Sequence, residues 1–223
     1  MNWHNQLFKT KKIAIMKTNL QTIPGYNINE YLLVLNPHEE LRNKIKEVKQ
    51  KFYDDFKAPT ALYGKPHLTL ISFVQYTMFE ERLVTRLKNV AMGYHPFKVE
   101  LKDFGSFPSH TIYINVTTKE PVKNLVKELK PFQQLMKLDK DNKPHFIDEP
   151  QITIARKLLP WQYEKSWLEY SHKNFTGRFI ADSMLLLKRR VVDKNEKPNP
   201  YQIAQRFEFQ NLPVSTKQGE LFM

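Results

Sequence analysis

Two short stretches of the chain nearly repeat each other, and this repeat constrains the fold more than any other feature. Residues 65–70 read KPHLTL, and residues 149–156 read EPQITIAR. Each contains proline, a polar residue, an aliphatic residue, threonine and a second aliphatic residue. Alternate side chains of a β-strand point to opposite faces, so each stretch predicts a strand with one polar and one apolar face. We therefore expect two related halves whose polar faces look onto one groove.

The polar faces carry residues suited to binding phosphate. His67 and Thr69 share a face of the first strand, and Gln151 and Thr153 share a face of the second. A histidine exchanges protons near neutral pH, and a threonine hydroxyl can hydrogen-bond a phosphate oxygen. Two histidines on facing strands would supply a general base and a general acid without a metal. The repeat breaks at Gln151, because glutamine forms hydrogen bonds but does not titrate.

The remaining periodicities predict several further elements. Strands are expected at 30–36, 67–73, 97–101, 110–116, 177–192 and 201–209, and helices at 37–56, 79–94, 120–136 and 160–172, with a turn at 104–108. This order lacks the regular alternation of a doubly wound parallel sheet. It predicts an α+β fold in which two antiparallel-rich sheets, backed by helices, surround a central cleft. We divide the chain into an N-terminal extension (1–25), a single bilobal domain (26–210) and a C-terminal tail (211–223).

Composition narrows the classes of partner. The chain has 223 residues, no cysteine, and 35 lysines and arginines against 23 acidic residues, giving a net charge of +12. This charge fits either an anionic partner such as RNA or a nucleotide, or simply solubility in a lysine-rich proteome. The lack of cysteine excludes disulfides and thiolate metal sites and agrees with a cytoplasmic location. No apolar run is long enough to cross a membrane, and residues 13–16 are too short for a signal-peptide core.

Residues 66–70 and 150–156 resemble the two signature motifs of the two-histidine phosphoesterase superfamily. This superfamily includes the bacterial 2′-5′ RNA ligase-like proteins and the RNA cyclic phosphodiesterases. The strand at 31–35, the spacing of the motifs and the Ala-Arg-Lys continuation at 155–157 extend the resemblance. It implies a bilobal fold with a central cleft. It also implies action on 2′,3′-cyclic phosphates or 2′-5′ linkages of RNA with no metal or other cofactor.

The resemblance also implies roles for the motif residues. His67, Thr69 and Thr153 would be catalytic, and Gln151 would bind phosphate or be a degenerate catalytic position, because the family pattern has histidine there. Losing one general acid or base typically lowers a rate by roughly 10²–10⁴. The chain is therefore expected to be either a phosphodiesterase-like protein with impaired turnover or a non-catalytic RNA- or nucleotide-binding module. A protein-interaction subunit with a vestigial cleft is a third reading.

Other residues near the motifs are candidates for the substrate-binding site. Tyr63 and Lys65 would line the cleft before the first motif, or belong to a solvated loop. Arg156 follows the second motif and would pair with phosphate in bidentate fashion, or form an ion pair at the strand end. His145 is the histidine nearest to Gln151 in the sequence. It would supply the proton transfer that glutamine cannot, or be a loop residue without a catalytic role. Four aromatic residues are base-stacking platforms or core residues: Phe73, Phe107, Phe146 and Trp161.

The C-terminal tail contains a further short pattern. Gln218, Leu221 and Phe222 resemble the short peptide that docks on bacterial sliding clamps, although an ordinary tail would also contain such residues. No heptad repeat is present, so we expect a monomer.

Overall fold

Two antiparallel sheets form the framework of the protein. The computed structural model describes residues 26–192, 196 and 198–212. The strands are β1 (Ile28–Leu35), β2 (Leu68–Tyr76), β3 (Phe97–Phe107), β4 (Thr111–Val116), β5 (His145–Phe146), β6 (Gln151–Arg156), β7 (Thr176–Ala181), β8 (Ser183–Arg190) and β9 (Gln202–Glu208). The first sheet has the order β5-β2-β1-β8-β9, and the second has the order β6-β4-β3-β7. The predicted α+β class with two antiparallel sheets is confirmed.

Helices cover one face of each sheet. They are α1 (Glu39–Phe56), α2 (Glu80–Met92), α3 (Lys119–Leu129), α4 (Gln133–Met136) and α5 (Pro160–Tyr170). The first sheet contacts α2, α3 and α4, whereas the second contacts α1 and α5. Tyr31, Leu33 and Leu35 alternate along β1 and are fully buried, as a helix-packed face requires. We call the other face of each sheet its open face, and the two open faces line the cleft.

The two motif strands contact each other, although they belong to different sheets. The chain leaves β5 at the edge of the first sheet and enters β6 at the edge of the second after residues 147–150. Ile147 still donates a backbone hydrogen bond to Leu70 of β2, at 2.9 Å. Strands β2 and β6 are also in contact. One continuous segment therefore joins the sheets and brings the second motif beside the first.

The predicted turn at 104–108 is wrong, because β3 continues through Phe107 and the turn falls at residues 108–110. Gly105 lies inside the strand, and there is a steric reason for the absence of a side chain at this position. A Cβ atom there would lie 2.5 Å from both Tyr113 Cε2 and Asn115 Oδ1. This glycine therefore leaves room for the Tyr113 and Asn115 side chains of β4 and does not mark a reversal of the chain.

Two longer predicted elements are divided. The strand expected at 177–192 is two strands, β7 and β8, which lie in different sheets. The helix expected at 120–136 ends at Leu129 and continues as a 3₁₀ turn, Lys130–Phe132, before the short helix α4. Pro131 lies within that turn and cannot donate an α-helical hydrogen bond.

The described chain extends slightly past the predicted boundary of the domain. Asn211 and Leu212 donate backbone hydrogen bonds to the carbonyls of Tyr94 and Met92. The predicted extension at 1–25 and the predicted clamp-docking residues Gln218, Leu221 and Phe222 lie outside the described residues. In the part of the chain that the structure describes, no helix is both long enough and apolar enough to cross a membrane.

Candidate functional site

The first motif strand has a β-bulge directly after its threonine. Thr69 pairs with Val34, whereas Ile71 pairs with the adjacent residue Leu33, so Leu70 is the extra residue. A bulge shifts the alternation of faces by one residue. As a result, Ser72, the third residue after Thr69, lies on the open face, whereas Ile71, the second, lies on the helix-packed face.

The second motif strand has a bulge at the equivalent position. Ile154 is the extra residue, because Thr153 and Ala155 pair with adjacent residues of β4. Strict alternation would place Arg156, three residues after Thr153, on the helix-packed face. The bulge instead returns Arg156 to the open face, where its side chain is exposed. Arg156 thus shares a face with Gln151 and Thr153 because of the bulge.

His67 precedes β2 and is half-buried. The pKa of its imidazole is lowered to about 4, mainly by burial and additionally by the positive charges of Lys49 and Arg156, while a hydrogen bond to the backbone carbonyl of Lys65 opposes the shift. The ring is therefore neutral at pH 7. With one ring nitrogen donating to Lys65, the other nitrogen is an acceptor that can take a proton. Lys65 thus contributes its main chain, while its side chain is exposed.

Lys49 is a residue of this site that sequence reasoning missed. It lies on the apolar stripe of α1 with Ile45 and Phe52, and only 6% of it is exposed. Its ammonium donates to the carbonyls of Tyr63 (3.1 Å) and Gly64 (3.2 Å), in the loop that leads to His67. Burial, together with the positive charge of Arg156, lowers its pKa to about 8. A lysine four residues after one buried position and three before another was the available signal.

Gln151 and Thr153 lie side by side on the open face of the second sheet. They pair with Asn115 and Tyr113 of β4, whose side chains share that face. The Gln151 Oε1 atom is buried and has no hydrogen-bond partner among the described residues. An unsatisfied buried acceptor is unfavourable. A ligand that donates a hydrogen bond at this position would remove that cost.

The structure places the remaining candidate residues at different positions around the two sheets. His145 pairs with Ser72 and so lies on the open face, at the edge of the first sheet. The Tyr63 side chain is 65% exposed. Among the candidate aromatics, two lie on the helix-packed face of the first sheet and two are at least partly accessible. The first two are Phe73 and Phe146, and the other two are Phe107 and Trp161.

An ion pair lies on the open face of the first sheet and holds Arg189. The buried Glu30 carboxylate accepts a hydrogen bond from Arg189 Nε at 2.5 Å, and the Arg189 guanidinium stacks on the Tyr201 ring, 4.4 Å from its centroid. Burial and the Glu30 charge together raise the pKa of Tyr201. The positive field around His67 comes from Lys49 and Arg156.

The sequence model of the 2′-5′ RNA ligase superfamily matches residues 37–193. The chain belongs to this superfamily. The match includes both motif strands, so the family resemblance seen in the motifs is confirmed. Comparison with curated proteins found no match.

Solved structures share the superfamily fold with this chain. E. coli LigT complexed with 3′-AMP is 14% identical with a TM-score of 0.60, and the alignment covers 82% of this chain and 98% of LigT. LigT complexed with NADP+ is 15% identical (TM-score 0.57, 82% and 99% covered). The protein TT0787 of Thermus thermophilus is 17% identical (TM-score 0.58, 81% and 98% covered). At these identities the likeness concerns the fold, and it agrees with the two-sheet architecture described above.

Proposed function

We propose that the cleft binds the phosphate of RNA or of a nucleotide and that the protein is a phosphodiesterase-like member of its superfamily. The observation that carries this proposal is the matched pair of bulged strands. They present Thr69, two residues after His67, on one open face and Gln151, Thr153 and Arg156 on the other. The structures of E. coli LigT with 3′-AMP and with NADP+ show that a protein of this fold binds nucleotides. They support a nucleotide phosphate as the ligand.

The residues suit a 2′,3′-cyclic phosphate or a 2′-5′ linkage as the substrate. The hydroxyls of Thr69 and Thr153 donate hydrogen bonds to phosphate oxygens, and Arg156 balances the negative charge. Neutral His67 accepts a proton from a water molecule as the water oxygen bonds to phosphorus. The bond from phosphorus to the leaving ribose oxygen then breaks, and that oxygen takes a proton from solvent. Gln151 can donate a hydrogen bond to the leaving oxygen but cannot give it a proton, so turnover is slow.

A non-catalytic binding module is the second candidate, and the Gln151 side chain is the reason to consider it. Its buried Oε1 is an unpaired acceptor. The phosphate of a cyclic ester offers no hydrogen-bond donor, whereas an opened ester leaves a free ribose hydroxyl that can donate. A module of this kind would therefore hold the opened phosphomonoester more tightly than the cyclic phosphodiester.

Hydrolysis of 2′,3′-cyclic AMP distinguishes these functions. We expect the Gln151→His variant to be faster than the unaltered protein by roughly 10²-fold or more, because it restores a general acid. Adding His67→Ala should abolish the activity of both forms. His172→Ala, which changes an exposed histidine after α5, is the matched control and should leave the rate unchanged. Activity that survives His67→Ala would overturn the mechanism.

Calorimetric binding of 2′-AMP and of 2′,3′-cyclic AMP decides between catalysis and binding alone. Tighter binding of 2′-AMP that weakens with added salt, together with no turnover in the unaltered protein, would support the binding module. Binding of neither ligand would overturn the phosphate site and favour a vestigial cleft.

A further inference from the structure

Two segments next to the motifs form one continuous surface at the end of the cleft. We call residues 57–65 and 156–165 together the rim. The Thr60 hydroxyl donates to the Arg156 carbonyl at 2.6 Å. The buried Gln162 amide donates to the carbonyls of Phe56 (3.1 Å) and Lys57 (3.0 Å). These bonds join the two segments, so the rim is a fixed platform.

The rim exposes large apolar side chains. The exposed fraction is 65% for Tyr63 and 47% for Trp161, and Leu62 and Leu159 beside them are also exposed. Such a group of exposed apolar residues marks a binding surface more often than isolated ones do. Because the main chain is already held in place, presenting these rings to a ligand requires little further ordering.

The charge of the rim is almost entirely positive. Its five cations have exposed side chains and are accompanied by one carboxylate, that of Glu164. The cations are Lys57, Lys65, Arg156, Lys157 and Lys165. Lys165 Nζ also lies 5.9 Å from the centroid of the Trp161 ring. Exposed aromatic rings among lysines and arginines are the combination with which proteins bind single-stranded nucleic acid.

We propose that the rim binds single-stranded RNA whose terminal phosphate lies in the cleft. Tyr63 and Trp161 each stack against a base that precedes the terminal nucleotide, and the surrounding cations lie near the backbone phosphates. The rim continues directly into the site, because Lys65 is two residues from His67 and Arg156 belongs to both. This inference rests on the proposed function for what the cleft holds, but the stacking surface itself does not depend on turnover.

The test compares a long ligand with a short one. Fluorescence anisotropy would measure binding of a labelled RNA of about twelve nucleotides, and calorimetry would measure binding of 2′-AMP. We expect Tyr63→Ala and Trp161→Ala each to weaken RNA binding by roughly 5–150-fold and to leave 2′-AMP binding unchanged. Leu168→Ala, which removes another exposed apolar side chain of α5, is the matched control and should alter neither affinity.

The outcomes separate the rim from the cleft. RNA binding that depends on His67 but not on Tyr63 and Trp161 would overturn the rim and leave the cleft proposal standing. RNA binding that depends on the two aromatics, without any 2′-AMP binding, would support the rim and overturn the phosphate site. If the two substitutions weakened binding of duplex RNA as much as binding of single-stranded RNA, base stacking would be overturned. Binding of anionic lipid vesicles in place of RNA would identify the rim as a membrane surface and overturn the proposal.

Discussion

The low pKa of His67 predicts a specific loss of stability in mild acid. In the folded protein the pKa falls from 6.5 to about 4, mainly because the imidazole is buried. Between these two values the unfolded chain binds a proton that the folded protein does not. Stability is therefore at its full value above pH 6.5 and is lost as the pH falls toward 4. At about 1.4 kcal/mol per pH unit, the loss attributable to His67 approaches about 3 kcal/mol.

Urea unfolding across this range measures the effect when the protein is compared with His67→Gln. The variant has no group titrating at that position. The unfolding free energy of the unaltered protein minus that of the variant should therefore fall by about 3 kcal/mol as the pH falls from 6.5 to 4. Asp139 and Glu149, whose pKa values are lowered by hydrogen bonds and neighbouring lysines, lose their contribution as the pH falls below 3.8 and 4.5 respectively, and they do so in both proteins. Lys49 titrates in a separate window, between 10.5 and about 8.

Two results would refute this reasoning. The first is a pH-independent difference between the two proteins, which would mean that His67 titrates alike in the folded and unfolded states. The second is a His67 imidazole that titrates near 6.5 in a proton NMR experiment on the folded protein. Replacing the exposed His172 by glutamine is the control and should leave the pH dependence unchanged.

Two further substitutions test the surroundings of the site. Lys49→Met removes the ammonium that holds two loop carbonyls, and we expect it to cost about 1–3 kcal/mol in urea unfolding. Lys46→Met, an exposed lysine of the same helix, should change stability by less than about 0.5 kcal/mol, and equal effects of the two would contradict the role of Lys49. Gly105→Ala adds a Cβ atom 2.5 Å from the Tyr113 ring and should destabilise the protein by about 1–3 kcal/mol through overpacking. An unchanged melting temperature would show that the ring moves aside freely.

Much of the fold follows from local patterns in the sequence. The apolar spacing of α1 places Leu41, Ile45 and Phe52 on one stripe, and all three are buried. The two motifs likewise predict strands with one polar and one apolar face. Boundaries were less predictable: nothing in the run from 177 to 192 shows that the chain passes from one sheet to the other between β7 and β8. That change depends on which strands are available as partners.

The motifs by themselves determined the superfamily and the two related strands. They also identified His67, Thr69, Gln151 and Thr153 as candidate site residues. Only the tertiary structure decided how those strands present their side chains. The bulge that returns Arg156 to the open face arises from pairing with β4, so strand alternation alone would have placed this residue wrongly. The pKa values of His67 and Lys49 have the same kind of origin. They depend on burial and on charges brought close by other elements of the chain, and no local pattern of residues encodes either.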